Sequence, residues 1–250
     1  MNLSCHQWDM ISANRISLEP AFVLHTRPYQ ETSLIVDFFT RSYGRVNAVA
    51  KGAKRPKSPL RSVLTPFSKL SISLAGKGDL KTLSSAEILD HYPLSSGNFL
   101  NSLVYINELI TKATEKDDPH LTIFNKYQFF LESISEKDHG DDLEMLLRDF
   151  EMTLLQEMGY GIDLIKDAET NENIHEDTSY RFDPNKGFTK IHAGNQSKIS
   201  FLGRDIIDFY EGRFQKQAVR NSSKTIMRIA LDYHLGNKSL NIRKYLTKNH

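Results

Sequence analysis

The chain has 250 residues, 39% of them hydrophobic, a formal net charge of +1 and a mean hydropathy of −0.44. That is enough for one or two domains with their own cores, and no apolar run approaches a membrane span. Residues 1–85 hold twelve Lys/Arg against five Asp/Glu and residues 86–250 hold twenty against twenty-six, so a balance of +7 faces one of −6. Such asymmetry points to a cationic module that meets a polyanion, with nucleic acid ahead of an anionic membrane surface.

The first nineteen residues show no clear period and read as an extension. They lack a basic start followed by an apolar block, so no signal peptide is expected, and Met10 is an alternative start. Cys5 is the only cysteine, which rules out an internal disulfide and fits a cytoplasmic protein.

From Ala21 the pattern turns to strands. "AFVLHTR" (Ala21–Arg27) is a short β-type run stopped by Pro28. "SLIVDFFT" (Ser33–Thr40) and "GRVNAVA" (Gly44–Ala50) follow, joined by the turn "RSYG". Loop 51–66 carries Gly52, Pro56, Pro59 and Pro66, which disfavour a regular helix or a central strand. "FSKLSISLA" (Phe67–Ala75) alternates, and "LKTLSSAEILDHY" supplies a last strand. Five strands interrupted after the third predict an OB-fold barrel over residues 20–92, with an SH3-like barrel or another small meander as alternatives.

Between Asp37 and Asp79 no Asp or Glu occurs, yet nine Lys/Arg do. An OB-fold grips a strand with a cationic groove and stacking aromatics. The candidate nucleic-acid residues are Arg27, Tyr29, Arg41 and Arg45 at strand ends, with Tyr43 a further aromatic, and Lys51, Lys54, Arg55, Lys57 and Arg61 on the loop. The bland alternative is a solvated tether. Phe22, Phe38, Phe39 and Phe67 are expected in the core.

After Pro93 the period becomes helical, and residues 93–250 read as a helical domain. Phe99, Leu103, Ile106 and Ile110 form one stripe, widened by Leu100, Val104 and Tyr105. Asp118 is an N-cap candidate with Pro119 first in the next helix, where Ile123, Tyr127, Phe130 and Ile134 share a face. Leu143, Leu147, Phe150, Leu154 and Met158 mark a third helix, with Asp141 and Asp142 at its positive end and Gly159 as its stop. Glu144, Asp149, Glu151 and Glu157 read as its solvated face rather than as metal ligands. Residues 161–200 are irregular apart from a hairpin, "SYRFDPNKGFTKIH", turning at "DPNKG". Helices over "RDIIDFYEGRF" and "AVRNSSKTIMRIALDYHL" follow, the latter closed by Gly236, and the basic "SLNIRKYLTKN" ends the chain. The fold class is therefore α+β, an N-terminal barrel followed by a mainly helical domain with a small hairpin insertion.

No phosphate-loop, dinucleotide, zinc-protease or nucleophile-elbow motif occurs, and the nine histidines are scattered. No catalytic residue, cofactor or metal is assigned. A nuclease using the acids near Asp141–Glu157 and an RNA-binding barrel are the competing classes.

The stretch "AFVLHTRPYQETSLIVDFFTRSYGRVNAVAKGAKRPKS" resembles the N-terminal barrel of the RecO family of bacterial recombination mediators. The resemblance rests on Arg27, Tyr29, Glu31, Ser33, Phe39, Thr40, Gly44, Arg45 and Val49–Lys54, with "YINELI", "LLRDFEMTLLQEMGYGIDL" and "RIALDYHLGNKSL" further on. It implies a non-enzymatic, nucleoid-associated protein that binds single- and double-stranded DNA, anneals strands and helps load recombinase. It implies RecR and the acidic C-terminal tail of the single-stranded DNA-binding protein as partners, with Leu147 and Arg148 receiving the tail. Many members carry a four-cysteine zinc site after "GYG"; this chain has no cysteine there and only His175 and His192 nearby. Packing must hold that region instead. "KSLNIRKYL", with Arg243, also departs from the family's compact Lys-Ser-Arg.

Overall fold

A computed structural model describes residues 15–92, 97–136, 143–192 and 198–236. The chain divides into two compact units, one running to Glu136 and the other within Lys137–Ser239. The readings of Met10, Asp141, Asp142 and the C-terminal basic run fall outside the described residues.

The first unit is built on a closed five-stranded barrel. Its strands are β1 (Arg15–Tyr29), β2 (Ser33–Thr40), β3 (Gly44–Ala50), β4 (Lys69–Ala75) and β5 (Leu80–Asp90), hydrogen-bonded in the order β1-β2-β3-β5-β4 with β4 returning to β1. The β3–β5 pair is parallel and the others are antiparallel, the OB-fold arrangement. β1 is longer than the run Ala21–Arg27: Arg15 and Ile16 already pair with Ala75 and Leu74, and Pro28 pairs with Leu34 inside the strand. Proline's fixed φ suits extended backbone, so Pro28 does not stop β1; the chain turns at Gln30 (φ 52). Within loop 51–66 one helical turn, α1 (Leu60–Val63), precedes β4.

Alternation explains the core. Ala21, Val23, Val36, Phe38, Leu70, Ile72 and Leu74 fill the barrel. Phe22 and Phe39 project from the opposite face, yet they are also fully buried. Helices α2 (Gly97–Ala113) and α3 (Leu121–Glu136) cover them: Phe22 lies 4.9 Å from Phe124 and 4.9 Å, edge-on, from Tyr127, while Phe39 lies 5.7 Å from Phe124. This is why "AFVL" and "FF" run apolar without alternation. Phe67 departs from the expectation; it is only half-buried and adopts φ 70.

Polar contacts fix the helices to the barrel. Asn107 Nδ2 donates to the Leu24 carbonyl at 2.8 Å, and the buried Tyr127 hydroxyl donates to Asn107 Oδ1 at 2.6 Å. The α2 stripe Phe99, Leu103, Ile106 and Ile110 is buried as expected, but Leu100 and Val104 are exposed, so the stripe is narrower than its sequence. Likewise α3 starts at Leu121 rather than Pro119, while Ile123, Tyr127, Phe130 and Ile134 are all buried. The residues before α3 are taken by the barrel: Asp117 N donates to the Arg45 carbonyl at 3.1 Å.

The second unit contains α4 (Leu143–Glu157), a three-stranded antiparallel sheet of β6 (Ser179–Asp183), β7 (Gly187–Lys190) and β8 (Phe201–Leu202), and helices α5 (Gly203–Tyr210) and α6 (Gln217–His234). The hairpin turns at Asp183, whose Oδ1 accepts from Asn185 N at 2.9 Å. Gly159 (φ 81) ends α4, with Tyr160 N reaching back to the Leu155 carbonyl at 2.8 Å.

The cysteine-free loop is held by a carboxylate and an aromatic cluster. Buried Asp167 accepts from Glu169 N (2.8 Å) and Thr170 N (3.0 Å) through Oδ1, and from Lys190 N (2.8 Å) through Oδ2. Phe188, whose backbone pairs with Asp167, packs tilted against Phe182 at 4.8 Å and edge-on against Phe201 at 6.2 Å between ring centroids. Burial pushes the Asp167 carboxyl up, but the hydrogen bonds from Thr170, Glu169 and Lys190 outweigh it and hold it below the ordinary range.

Two predictions follow from these contacts. A carboxyl held low stabilises the fold above its unfolded-state value and loses that contribution as pH falls through the folded value. Asp167→Asn should therefore lower Tm by several degrees at pH 7, and the gap to wild type should close in acid, as read by circular dichroism. At the barrel, Gly44→Ala should destabilise the protein by at least about 2 kcal/mol in urea unfolding. Gly44 sits at φ +65, and a Cβ there would lie 2.0 Å from the Asp118 carbonyl oxygen.

Candidate nucleic-acid interface

At one end of the barrel three segments meet: the β1–β2 turn, the loop after β3 and the start of β5. Tyr29 pairs with Ser33, Leu34 with Ala50, Ala48 with Lys81 and Val49 with Thr82. They enclose a cleft of about 400 Å³ whose lining includes Tyr29, Ser33, Lys51, Arg55, Lys81 and Thr82, and no carboxylate. Three cations and no carboxylate in the lining give it a positive potential that attracts anions.

Loop 51–59 is a chain of turns rather than a tether. Ala53 N donates to the Ala50 carbonyl (3.4 Å), Lys54 N to Thr32 (2.8 Å), Arg55 N to Gly52 (3.1 Å) and Ser58 N to Arg55 (3.0 Å). Ala53 and Leu64 are buried in the barrel core and pin the loop at two points. Gly52 (φ +69) supplies the left-handed residue this path needs. The side chains of Lys51, Lys54, Arg55, Lys57 and Arg61 are exposed, and among the described residues none of them pairs with a carboxylate.

The other sequence candidates separate. Arg27 is exposed and lines a neighbouring groove of about 570 Å³ between β1 and α2, with Ile35, Phe67 and Val104. Arg41 is exposed at the β2–β3 turn, the far end of an eight-residue strand, roughly 25 Å away at the rise of extended chain. Tyr43 is half-buried against the core.

Arg45 corrects the expectation that it reaches solvent. Its guanidinium donates to the Thr114 carbonyl (2.9 Å) and Thr114 Oγ1 (3.1 Å) and pairs with Asp37 (3.3 Å), leaving its side chain 11% exposed. It ties β3 to the end of α2. Burial pushes the Asp37 carboxyl up, against the opposing charges of Arg45, Lys116 and His25.

Lys81 is the cleft residue missed in sequence. The signal was there: it sits two before Leu83, a core residue, so its side chain starts on the inward face of β5.

On α4 the buried set is Leu146, Arg148, Phe150, Glu151, Leu154 and Leu155, with Leu147 half-buried. The apolar stripe is thus rotated from Leu143–Leu147–Met158, and Glu151, expected on a solvated face, is 1% exposed. It pairs with Arg148 at 2.9 Å. Among the described residues no group of three or more His, Cys, Asp or Glu is placed to hold a metal ion, and no helix is long and apolar enough to cross a membrane.

The first unit thus combines an OB barrel with a carboxylate-free cationic cleft, and a mainly helical unit follows it in sequence. Residues 15–92 match the family description "Recombination protein O N terminal" and residues 97–243 match "Recombination protein O C terminal". The chain is 38% identical over 234 residues (93% of this chain, 85% of the relative) to the DNA repair protein RecO of Ralstonia nicotianae. It is 36% identical over 237 residues (95% and 98%) to that of Aromatoleum aromaticum, and 38% identical over 239 residues (94% and 97%) to that of Nitrosospira multiformis. The chain therefore belongs to the RecO family of DNA repair proteins.

Proposed function

We propose that this protein is a non-enzymatic DNA-binding mediator of recombinational repair. The observation that carries this reading is the convergence of Lys51, Arg55 and Lys81 beside Tyr29 in a cleft without acids, flanked by Lys54, Lys57 and Arg61. These cations neutralise backbone phosphates and release counterions, which makes binding salt-dependent and blind to sequence. Neutralising two strands at once lets complementary strands approach and pair, so annealing needs no catalytic group. Single- and double-stranded DNA are both ligands of the loop. The relatives' shared name supports a place in DNA repair.

The test is binding of a fluorescent single-stranded oligonucleotide across a salt series with EDTA present. Wild type should give a steep log–log slope, and a Lys51/Lys54/Arg55/Lys57→Ala variant should flatten it by roughly 0.7 per lost phosphate contact. An unchanged affinity and slope would remove the loop from the interface. Competition by matched RNA at equal strength would point to an RNA-binding adaptor instead.

In this reading RecR is a partner, and the helical unit recruits the protein through the acidic tail of the single-stranded DNA-binding protein, which helps bring recombinase to coated DNA. Leu147 offers apolar surface and Arg148 a cation for a terminal carboxylate. Because Glu151 already pairs with Arg148, the tail must share that guanidinium or displace the pair. Leu147→Asp should weaken a tail peptide about tenfold in fluorescence anisotropy and leave oligonucleotide affinity within about twofold. Parallel loss of both affinities in a folded variant would mean one site, not two.

A further inference from the structure

Arg148 is the only buried arginine among the described residues. A guanidinium carries five N–H donors, and a carboxylate matches it best through two parallel bonds. At Arg148 one bond is made: Nη2 donates to Glu151 Oε1 at 2.9 Å. Its Nε is buried and has no hydrogen-bond partner among the described residues. Arg213 shows the fuller arrangement in the same unit, reaching Asp208 with both Nε, at 2.8 Å, and Nη2. The Arg148 pair is half-made by comparison. A buried N–H left unmatched costs free energy that a second acceptor would recover.

The charges around it oppose an anionic ligand. Glu144 stands four residues before Arg148 on α4 and Glu151 three after it, so both carboxylates share its side of the helix. The three groups sum to −1, whereas a ligand carboxylate calls for the opposite sign. Glu151 is also tethered beside Arg148 by the helix itself, which gives it the advantage of an intramolecular competitor over any ligand in solution. Arg148 keeps 10% of its side chain exposed and Glu151 1%. A ligand therefore meets the guanidinium from outside while Glu151 holds it from within.

We infer that Glu151 is a built-in competitor for the guanidinium of Arg148, and that it keeps this face of α4 weak for any ligand bearing a free carboxylate until the pair is broken. The inference rests on the reading of Leu147 and Arg148 as a receptor for a partner's tail and adds how that receptor is restrained. A half-made pair suits the task. It offsets the buried charge in the free protein, and it yields more readily than a complete fork.

The experiment uses a labelled acidic peptide ending in an apolar residue with a free carboxylate, and the same peptide amidated at its C-terminus. Both are titrated by fluorescence anisotropy into wild type, Glu151→Gln, Glu144→Gln and Arg148→Gln, with a thermal melt of each protein. Glu151→Gln should bind the free acid about tenfold more tightly, because the rival charge is gone and an amide oxygen still faces Arg148. Glu144→Gln should gain clearly less. A gain confined to the free acid identifies the terminal carboxylate as the rival, and an equal gain on both peptides identifies a side-chain carboxylate; either supports the competition. A folded Glu151→Gln with unchanged or weaker affinity overturns it, as does an equal gain in Glu144→Gln, which would mean bulk charge alone. If Glu151→Gln does not fold, wild type supplies the test: the Arg148 Nε–H resonance should shift as the peptide is added, and a resonance unmoved at saturation overturns the inference. Should neither wild type nor Glu151→Gln bind the peptide, or should Arg148→Gln bind it as wild type does, the receptor reading itself falls. If Arg148→Gln loses binding and Glu151→Gln gains none, only the competition falls.

Discussion

The first unit depends on a close approach of two backbones. At Gly44 the turn that begins β3 touches the chain around Asp118, and the residue beside it, Arg45, reaches across to the end of α2. Only a residue without a side chain, in a left-handed conformation, permits that contact. The start of α3 is positioned by it. Helix α3 comes to lie on Phe22 and Phe39 rather than beside them, and the outer face of β1 and β2 is sealed. Burying one such phenyl ring is worth about 1.5–3 kcal/mol, so the covered face contributes as much as a comparable part of the barrel interior.

Sealing one side of the barrel leaves the cleft elsewhere on it uncovered. The helices occupy the face of β1 and β2 carrying Phe22 and Phe39, while the cleft opens where β1 and β3 end and β5 begins. The charges divide in the same way. Cations in the covered part are consumed by structure, as Arg45 is by Thr114 and Asp37. Cations at the open end have no carboxylate to satisfy them among the described residues. The +7 balance of the first 85 residues is thus sharper in space than in sequence.

Much of this was legible beforehand. β2 and β3 begin and end where the runs of β-formers do, because both are bounded by turn residues. The helical stripes of α2 and α3 were legible for the residues that touch the barrel and not for Leu100 and Val104, since periodicity reports which residues can be buried and not how wide the partner is. The strand character of Arg15 and Ile16 comes from pairing with β4, a contact across some sixty residues that leaves little local trace. Residue type alone could not separate Arg45 from Lys51. The first finds a carbonyl and a carboxylate in space, and the second does not. Glu151 was misread for the same reason: a charge on a helix looks solvated until its partner three residues away is seen to be buried with it.

Asp167 replaces a cross-link with something the chain carries in itself. Its carboxylate joins the turn at 169–170 to Lys190, closing a span of 23 residues by hydrogen bonds alone. A site of four thiolates would have to wait for an ion to arrive before it could close, and its closing rate would follow that ion's concentration. Here the closure is a diffusive loop event among residues already present, and its entropic cost grows only slowly with length. Closure by these hydrogen bonds therefore runs on the clock of the polypeptide.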